Sequence, residues 1–172
     1  MRNLSIRSLT RPKIHQSFPL VQLAMPNCTL EAWQDYALSH LSPAGLRDSG
    51  ILCAEDERGY ILGLLVFQLH HDLTEGNSLL VKKLIVQDQF QSARRDVAMA
   101  LIQAVEAMAD ETHCRTLHAL VPVTPGGRRD DWLYQLFVEC GHATNCLQLS
   151  KSLASTSAGR QQGPIAENNS RF

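Results

Sequence analysis

The chain has 172 residues, a formal net charge of −1 and 44% apolar residues, which suits one globular domain built on one core. Dispersed basic residues and near-neutral charge give no electrostatic footprint for nucleic acid or an anionic membrane, and no apolar run reaches membrane-spanning length. Five cysteines without a CxxC pair, behind an opening segment with no continuous apolar stretch, point to free thiols in a reducing cytoplasm.

Residues 4–9 alternate polar and apolar and predict an opening strand, ended by Arg11-Pro12. Ile14, Phe18, Val21 and Met25 fall at helical spacing, with Pro19 expected to kink or split that helix. Thr29 is placed to cap a second helix, with Glu31 in its first turn and Trp33, Tyr36, Ala37 and Leu41 as its stripe. Residues 42–45, Ser-Pro-Ala-Gly, break it.

Residues 50–55 and 60–69 read as two strands of a hairpin around Asp56-Glu57-Arg58-Gly59. A turn over 72–77 leads to an apolar strand at 79–86, the sequence Leu-Leu-Val-Lys-Lys-Leu-Ile-Val. Residues 87–95 are mostly polar and read as a turn. From Val97 the period becomes helical, with Val97, Leu101, Val105 and Met108 on one stripe. A strand feeding a helix through a polar turn aims the free N–H groups of the first helical turn into a crevice, a ready site for a phosphate. Residues 116–123 predict another strand, 124–129 a loop, and 132–140 a helix capped by Asp130 or Asp131 and ended by Gly141. A closing strand is expected within 142–153, centred on 146–149. Residues 154–172 are rich in Ser, Gly, Gln and Asn and are expected to be a disordered tail beyond a domain of residues 1–153.

The order β-α-α-β-β-β-α-β-α-β resembles the GNAT family of acetyl-CoA-dependent N-acetyltransferases over residues 4–153. Three stretches carry the likeness. Leu84-Ile85-Val86 is similar to the family's strand ending in L-x-V, and Arg95-Asp96-Val97-Ala98-Met99-Ala100-Leu101 to its R-G-V-A-x-A-L segment. Leu136-Phe137-Val138-Glu139-Cys140-Gly141-His142 is similar to its L-Y-x-x-x-G-F segment. The resemblance implies an α/β (α+β) fold with a mixed, mainly antiparallel central sheet flanked by helices. It also implies an acyl-CoA co-substrate, acetyl-CoA, whose pantetheine arm bonds the backbone of Leu84, Ile85 and Val86. Its pyrophosphate would lie on the turn Ser92, Ala93, Arg94, Arg95, Asp96, Val97 and Ala98.

Two positions depart from the family. Its turn follows Q/R-x-x-G-x-G/A, which sets Ala93 at the first position and Asp96 where the first glycine stands. Glycine lets the backbone approach a phosphate, whereas a carboxylate there repels it and is itself able to cap the helix N-terminus. Arg94 and Arg95 are the compensating charges. Without the resemblance, the same Ser, Arg and Asp only cap and solvate a helix. Phe137 occupies the place of the tyrosine that protonates the departing thiolate in many family members. Tyr134, one turn earlier, is the candidate acid, or else a packed aromatic whose hydroxyl reaches solvent.

The general base has several candidates by position: Glu55, His70 and His71, Glu75 and Asp88. Glu55 on the second strand is taken first. His113, Cys114 and His118 lack a fourth ligand, so no metal site is expected. The expected function is acyl transfer from acetyl-CoA to a primary amine, on a small molecule or a peptide, in the cytoplasm. A homodimer is one state the sequence allows. The alternative is a non-catalytic acyl-CoA-binding or protein-interaction module, for which Asp96 and Phe137 are the grounds.

Overall fold

Among the described residues five strands make one sheet in the order β1-β2-β3-β4-β5: Ser5–Ser8, Ser49–Glu55, Ile61–Asp72, Gly76–Val86 and Thr116–Ala119. β1 to β4 are antiparallel neighbours, and β5 runs parallel to β4. The sheet is therefore mixed and mainly antiparallel, as expected. A computed structural model describes residues 4–41, 48–73, 76–87, 91–121 and 132–144. The first compact unit ends at His142, and of the second, beginning at Ala143, only residues 143 and 144 are described. The closing strand expected at 146–149, the helix break at 42–45 and the tail at 154–172 lie outside the described residues.

Each face of the sheet has its own core. On one face Leu9, Ile51, Cys53, Leu64, Val66 and Ile85 pack with α1 (Ile14–Ala24) and α2 (Leu30–His40). On the other, Leu52, Ala54, Leu65, Phe67, Leu79 and Val81 pack with α3 (Gln91–Glu111) and α4 (Trp132–Glu139). Odd positions of β2 thus face α1 and α2 and even ones face α3 and α4, the period-2 alternation of a strand buried on both sides.

The first helix is not split at Pro19. The carbonyl that a proline at this place leaves unbonded belongs to His15, in the exposed first turn, where water can take it. α2 starts as its sequence implies, with the Thr29 hydroxyl accepting the Ala32 N–H at 3.2 Å. Buried Trp33 fastens α2 to α1, donating its indole N–H to the Ile14 carbonyl (3.1 Å) and the Ser17 hydroxyl (3.0 Å). The 56–59 hairpin also forms; the Asp56 carboxylate accepts the Arg58 and Tyr60 N–H groups, each at 2.9 Å, and Gly59 takes φ +82°.

Candidate functional site

Among the described residues, β4 runs on beyond its last pair with β5. β4 and β5 pair from Ser78/Thr116 to Val81/Ala119, and the Leu120 N–H to Val81 carbonyl bond (2.9 Å) follows. Beyond it no described residue of β5 pairs with β4, while β3 stays paired through Gly63/Val86. The bond from the Gln87 N–H to the Leu62 carbonyl (3.0 Å) sets the phase of that antiparallel ladder. Counting back two at a time, Ile85 and Lys83 turn their backbone polar groups toward β3. Leu84 and Val86 turn theirs the other way, away from β3. Two N–H and two C=O groups therefore face the β5 side of the strand beyond its last β5 pair.

A bulge lies in β4 just before this end. Val66 pairs with Lys83 but Phe67 pairs with Val81, so Lys82 is an extra residue in β4. Its effect is visible in the cores: Leu79 and Val81 belong to the α3 side, whereas Ile85, also an odd position, belongs to the α1 side. A bulge bends its strand and sharpens the local twist. Sequence reading missed Lys82. The available signal was the Lys82-Lys83 pair, which interrupts an apolar strand without a glycine.

Gly63 brings α3 down onto this end of the sheet. A Cβ there would stand 2.7 Å from Val97 Cγ1 and 2.9 Å from Leu101 Cδ1. The helix itself begins at Gln91, so the turn expected over 87–95 is shorter than its polarity implied. The reason is that Gln, Ala and Arg are good helix formers whose outward-facing positions need no apolar residue. Ser92 and Ala93 lie in the first turn, where backbone N–H groups lack an intrahelical partner. Arg95 and the residues after it donate within the helix. Val97 and Ala98 are buried in the α3 core, so their side chains serve packing. Asp96 is exposed and sixth in a helix starting at Gln91, past the free donors. The expectation that its carboxylate would cap the N-terminus is therefore corrected.

Both arginines turn to α4. The Arg94 guanidinium stacks on the Trp132 ring, 4.1 Å from its centroid. Arg95 forms an ion pair with Glu139, its side chain 47% exposed and that of Glu139 50%. Neither partner on α4 was singled out from sequence, since contacts across about 40 positions leave no local pattern. Phe137 is buried with Leu133 and Leu136, its ring edge-on to His142 at 5.0 Å. Tyr134 is half-buried one turn earlier on the same helix.

Glu55 is buried at the end of β2, on the α1 side of the sheet and so across it from α3 and α4. Its carboxylate accepts from the Lys13 ammonium at 2.5 Å and the Cys53 thiol at 3.3 Å. Burial pushes its pKa up. The Lys13 and Cys53 bonds, with the charges of Lys13 and Arg7, outweigh that and hold it below the ordinary carboxylate range. Burial, then the hydrogen bond to Glu55, pushes the Cys53 thiol up to about 12, so it is inert. Glu55 and Tyr134 are not brought together.

His70 and His71 are exposed at the other end of β3, paired with Ser78 and Asn77. They border an open depression of about 260 Å³ with Asp48, Gln68 and Thr112. Eight residues of β4 separate Ser78 from Val86, about 25 Å. This rim is remote from the end of β4. Glu75 and Asp88 lie outside the described residues.

No protein-family model and no curated protein sequence matches the chain. Solved structures do. A ribosomal-protein-alanine N-acetyltransferase from Brucella melitensis biovar Abortus 2308 superposes with a TM-score of 0.69 at 17% identity, covering 88% of this chain and 99% of that one. An aminoglycoside N-acetyltransferase in complex with CoA gives 0.68 at 16% identity, covering 88% and 96%. A transcriptional regulator from Bacillus halodurans C-125 gives 0.72 at 14% identity, covering 88% and 100%. At such identities the likeness concerns architecture: the chain has the fold of the GNAT N-acetyltransferases.

Proposed function

We propose that this protein is an acyl-CoA-dependent N-acyltransferase that passes an acetyl group from acetyl-CoA to a primary amine by direct attack. The observation that carries the reading is the stretch of β4 beyond its last pair with β5, where the Leu84 and Val86 backbone faces away from β3 and the first turn of α3 follows in the chain. A pantetheine arm is an amide chain, and an unpaired strand edge suits it as it suits an added peptide strand. The N–H groups of Ser92 and Ala93 would face the pyrophosphate, which the N-terminal helix dipole favours. The CoA complex of the aminoglycoside enzyme of like fold supports this choice of donor.

In the proposed step the amine nitrogen attacks the thioester carbonyl carbon. An N–H near Val86 stabilises the oxyanion that develops, the C–S bond breaks, and CoA leaves as thiolate. The attacking nitrogen loses its proton to water. A carboxylate held below its ordinary range, as Glu55 is, suits that task poorly near neutral pH. Tyr134 is the group of α4 able to protonate the thiolate. The acceptor is a small-molecule or peptide amine. The four described cysteines are unpaired, which fits a cytoplasmic setting. Among the described residues no helix is long and apolar enough to cross a membrane.

Buried Phe137, where the family keeps its acid, favours a second reading: a module of the same fold that binds acyl-CoA without turning it over. One pair of measurements decides between them. Acetyl-CoA at about a hundred times its Kd should stabilise the protein by about 2.7 kcal/mol, raising the melting temperature by several degrees. No shift at millimolar acetyl-CoA rejects both readings. A shift without thiol release across a panel of amines selects the second.

A further inference from the structure

The two arginines beside the first turn of α3 are both engaged by α4, and the two contacts differ in kind. Arg94 is half-buried and stacked on Trp132. That contact has an apolar share, and it fixes the start of α4 against the start of α3. Arg95 and Glu139 form an ion pair with both side chains about half exposed, 47% and 50%. A pair so open to water holds its partners weakly, and salt screens it. One arginine is a fixed fastening. The other is an exchangeable charge whose present counter-ion is a carboxylate of the same chain.

We infer that Glu139 is a built-in competitor for the donor's phosphates: it occupies Arg95 in the free protein, and acyl-CoA binding requires Arg95 to exchange Glu139 for a phosphate oxygen. This rests on the acyl-CoA reading and adds to it a residue that sets donor affinity. The physical reason is electrostatic. With Glu139 and Asp96 both on the exposed side of this end of the fold, Arg95 neutralises one carboxylate and contributes no net positive charge to an incoming phosphate. Releasing Glu139 from Arg95 leaves a carboxylate near the phosphates, which costs further affinity. An amide at 139 removes both penalties and keeps the side chain's shape.

The test is calorimetric titration of CoA, and of pantetheine as the phosphate-free fragment, into the wild type, Glu139→Gln, Arg95→Ala and the double variant. Glu139→Gln is expected to tighten CoA about two- to fivefold at low salt, the range spanned by exposed ion pairs, and to leave pantetheine unchanged. The gain should vanish near 1 M salt, where the screening length is about 3 Å. In the Arg95→Ala background Glu139→Gln should give no gain, because the competition has lost its object. Both side chains are exposed, so folding should be preserved, and Glu139→Ala serves as a second variant. The inference is overturned if the wild type binds CoA and Glu139→Gln binds it equally well, or if the gain persists without Arg95. If neither wild type nor Glu139→Gln binds CoA, the acyl-CoA reading fails first and takes this inference with it. CoA binding by Glu139→Gln alone would likewise overturn it, since the wild type would then not be an acyl-CoA protein.

Discussion

Gly63 and Val97 meet at a distance no side chain on the strand would tolerate: a Cβ on Gly63 would lie 2.7 Å from Val97 Cγ1. Gly63 pairs with Val86 on β4, so this one contact sets the height of α3 over this end of the sheet. Gly63→Ala is expected to push Val97 and Leu101 outward and to destabilise the fold by about 1–3 kcal/mol, the usual cost of overpacking. Chemical denaturation should show the loss as a lowered midpoint with unchanged slope. A variant as stable as the wild type would mean that the helix is not seated on this residue.

Lys13 and Glu55 are 42 positions apart, and their ion pair joins the turn before α1 to the end of β2. Glu55→Gln is expected to cost about 1–3 kcal/mol at neutral pH, because Lys13 keeps its charge and loses its acceptor. The pH dependence has a fixed sign. Glu55's carboxyl lies below its ordinary value of 4.5 in the folded state, so its contribution is fully present above that value. It is lost as pH falls through the folded-state pKa. Wild type and Glu55→Gln should therefore converge in stability below about pH 4.5. A gap that stays constant through that range would show that the charge of Glu55 is not what stabilises.

Much of this architecture is visible in the residues themselves, and the parts that are not have a common cause. Thr29 caps α2 and Asp56 closes the hairpin because these are local hydrogen bonds among neighbours in sequence. The strands and helices follow from apolar periodicity. Long-range polar contacts do not announce themselves: nothing around Glu55 names Lys13, and nothing around Arg94 or Arg95 names Trp132 or Glu139. The start of α3 was hidden for a different reason. In its first turn Ala93 and Arg94 are only half-buried and mark no helical period, and helix propensity alone is a weak signal. The strand–helix junction from β4 to α3 was legible. The bulge in β4 was not.

Tyr134 and Phe137 lie one turn apart on α4 and carry opposite expectations. If Tyr134 protonates the thiolate, Tyr134→Phe should lower kcat by about a hundredfold, in the range for a lost general acid, with KM little changed. A leaving-group thiol of lower pKa should narrow the difference. Phe137→Tyr should not restore activity to that variant. Its hydroxyl would enter a core where Phe137 is 3% exposed, costing about 1–3 kcal/mol if unpaired. Unchanged turnover in Tyr134→Phe would remove Tyr134 from the reaction.

Lys82 offers a cleaner separation of folding from binding. Residue pairs from Asp72/Gly76 to Phe67/Val81 keep one register, and pairs from Val66/Lys83 to Gly63/Val86 keep another, offset by the one extra residue. Deleting Lys82 joins the two registers into one ladder. It also leaves every side chain downstream on its present face, because Lys83 would then follow Val81 directly in the alternation. Ile85 would stay in the α1 core while Leu84 and Val86 stay toward α3. The deletion is therefore expected to fold, with a melting temperature within several degrees of the wild type. A straightened β4 lacks the bend before Leu84 and Val86, so their backbone should leave the course it now takes. Thermal stabilisation by acetyl-CoA should then disappear. A deletion variant that folds and still gains stability from acetyl-CoA would show that the bulge does not shape the donor site.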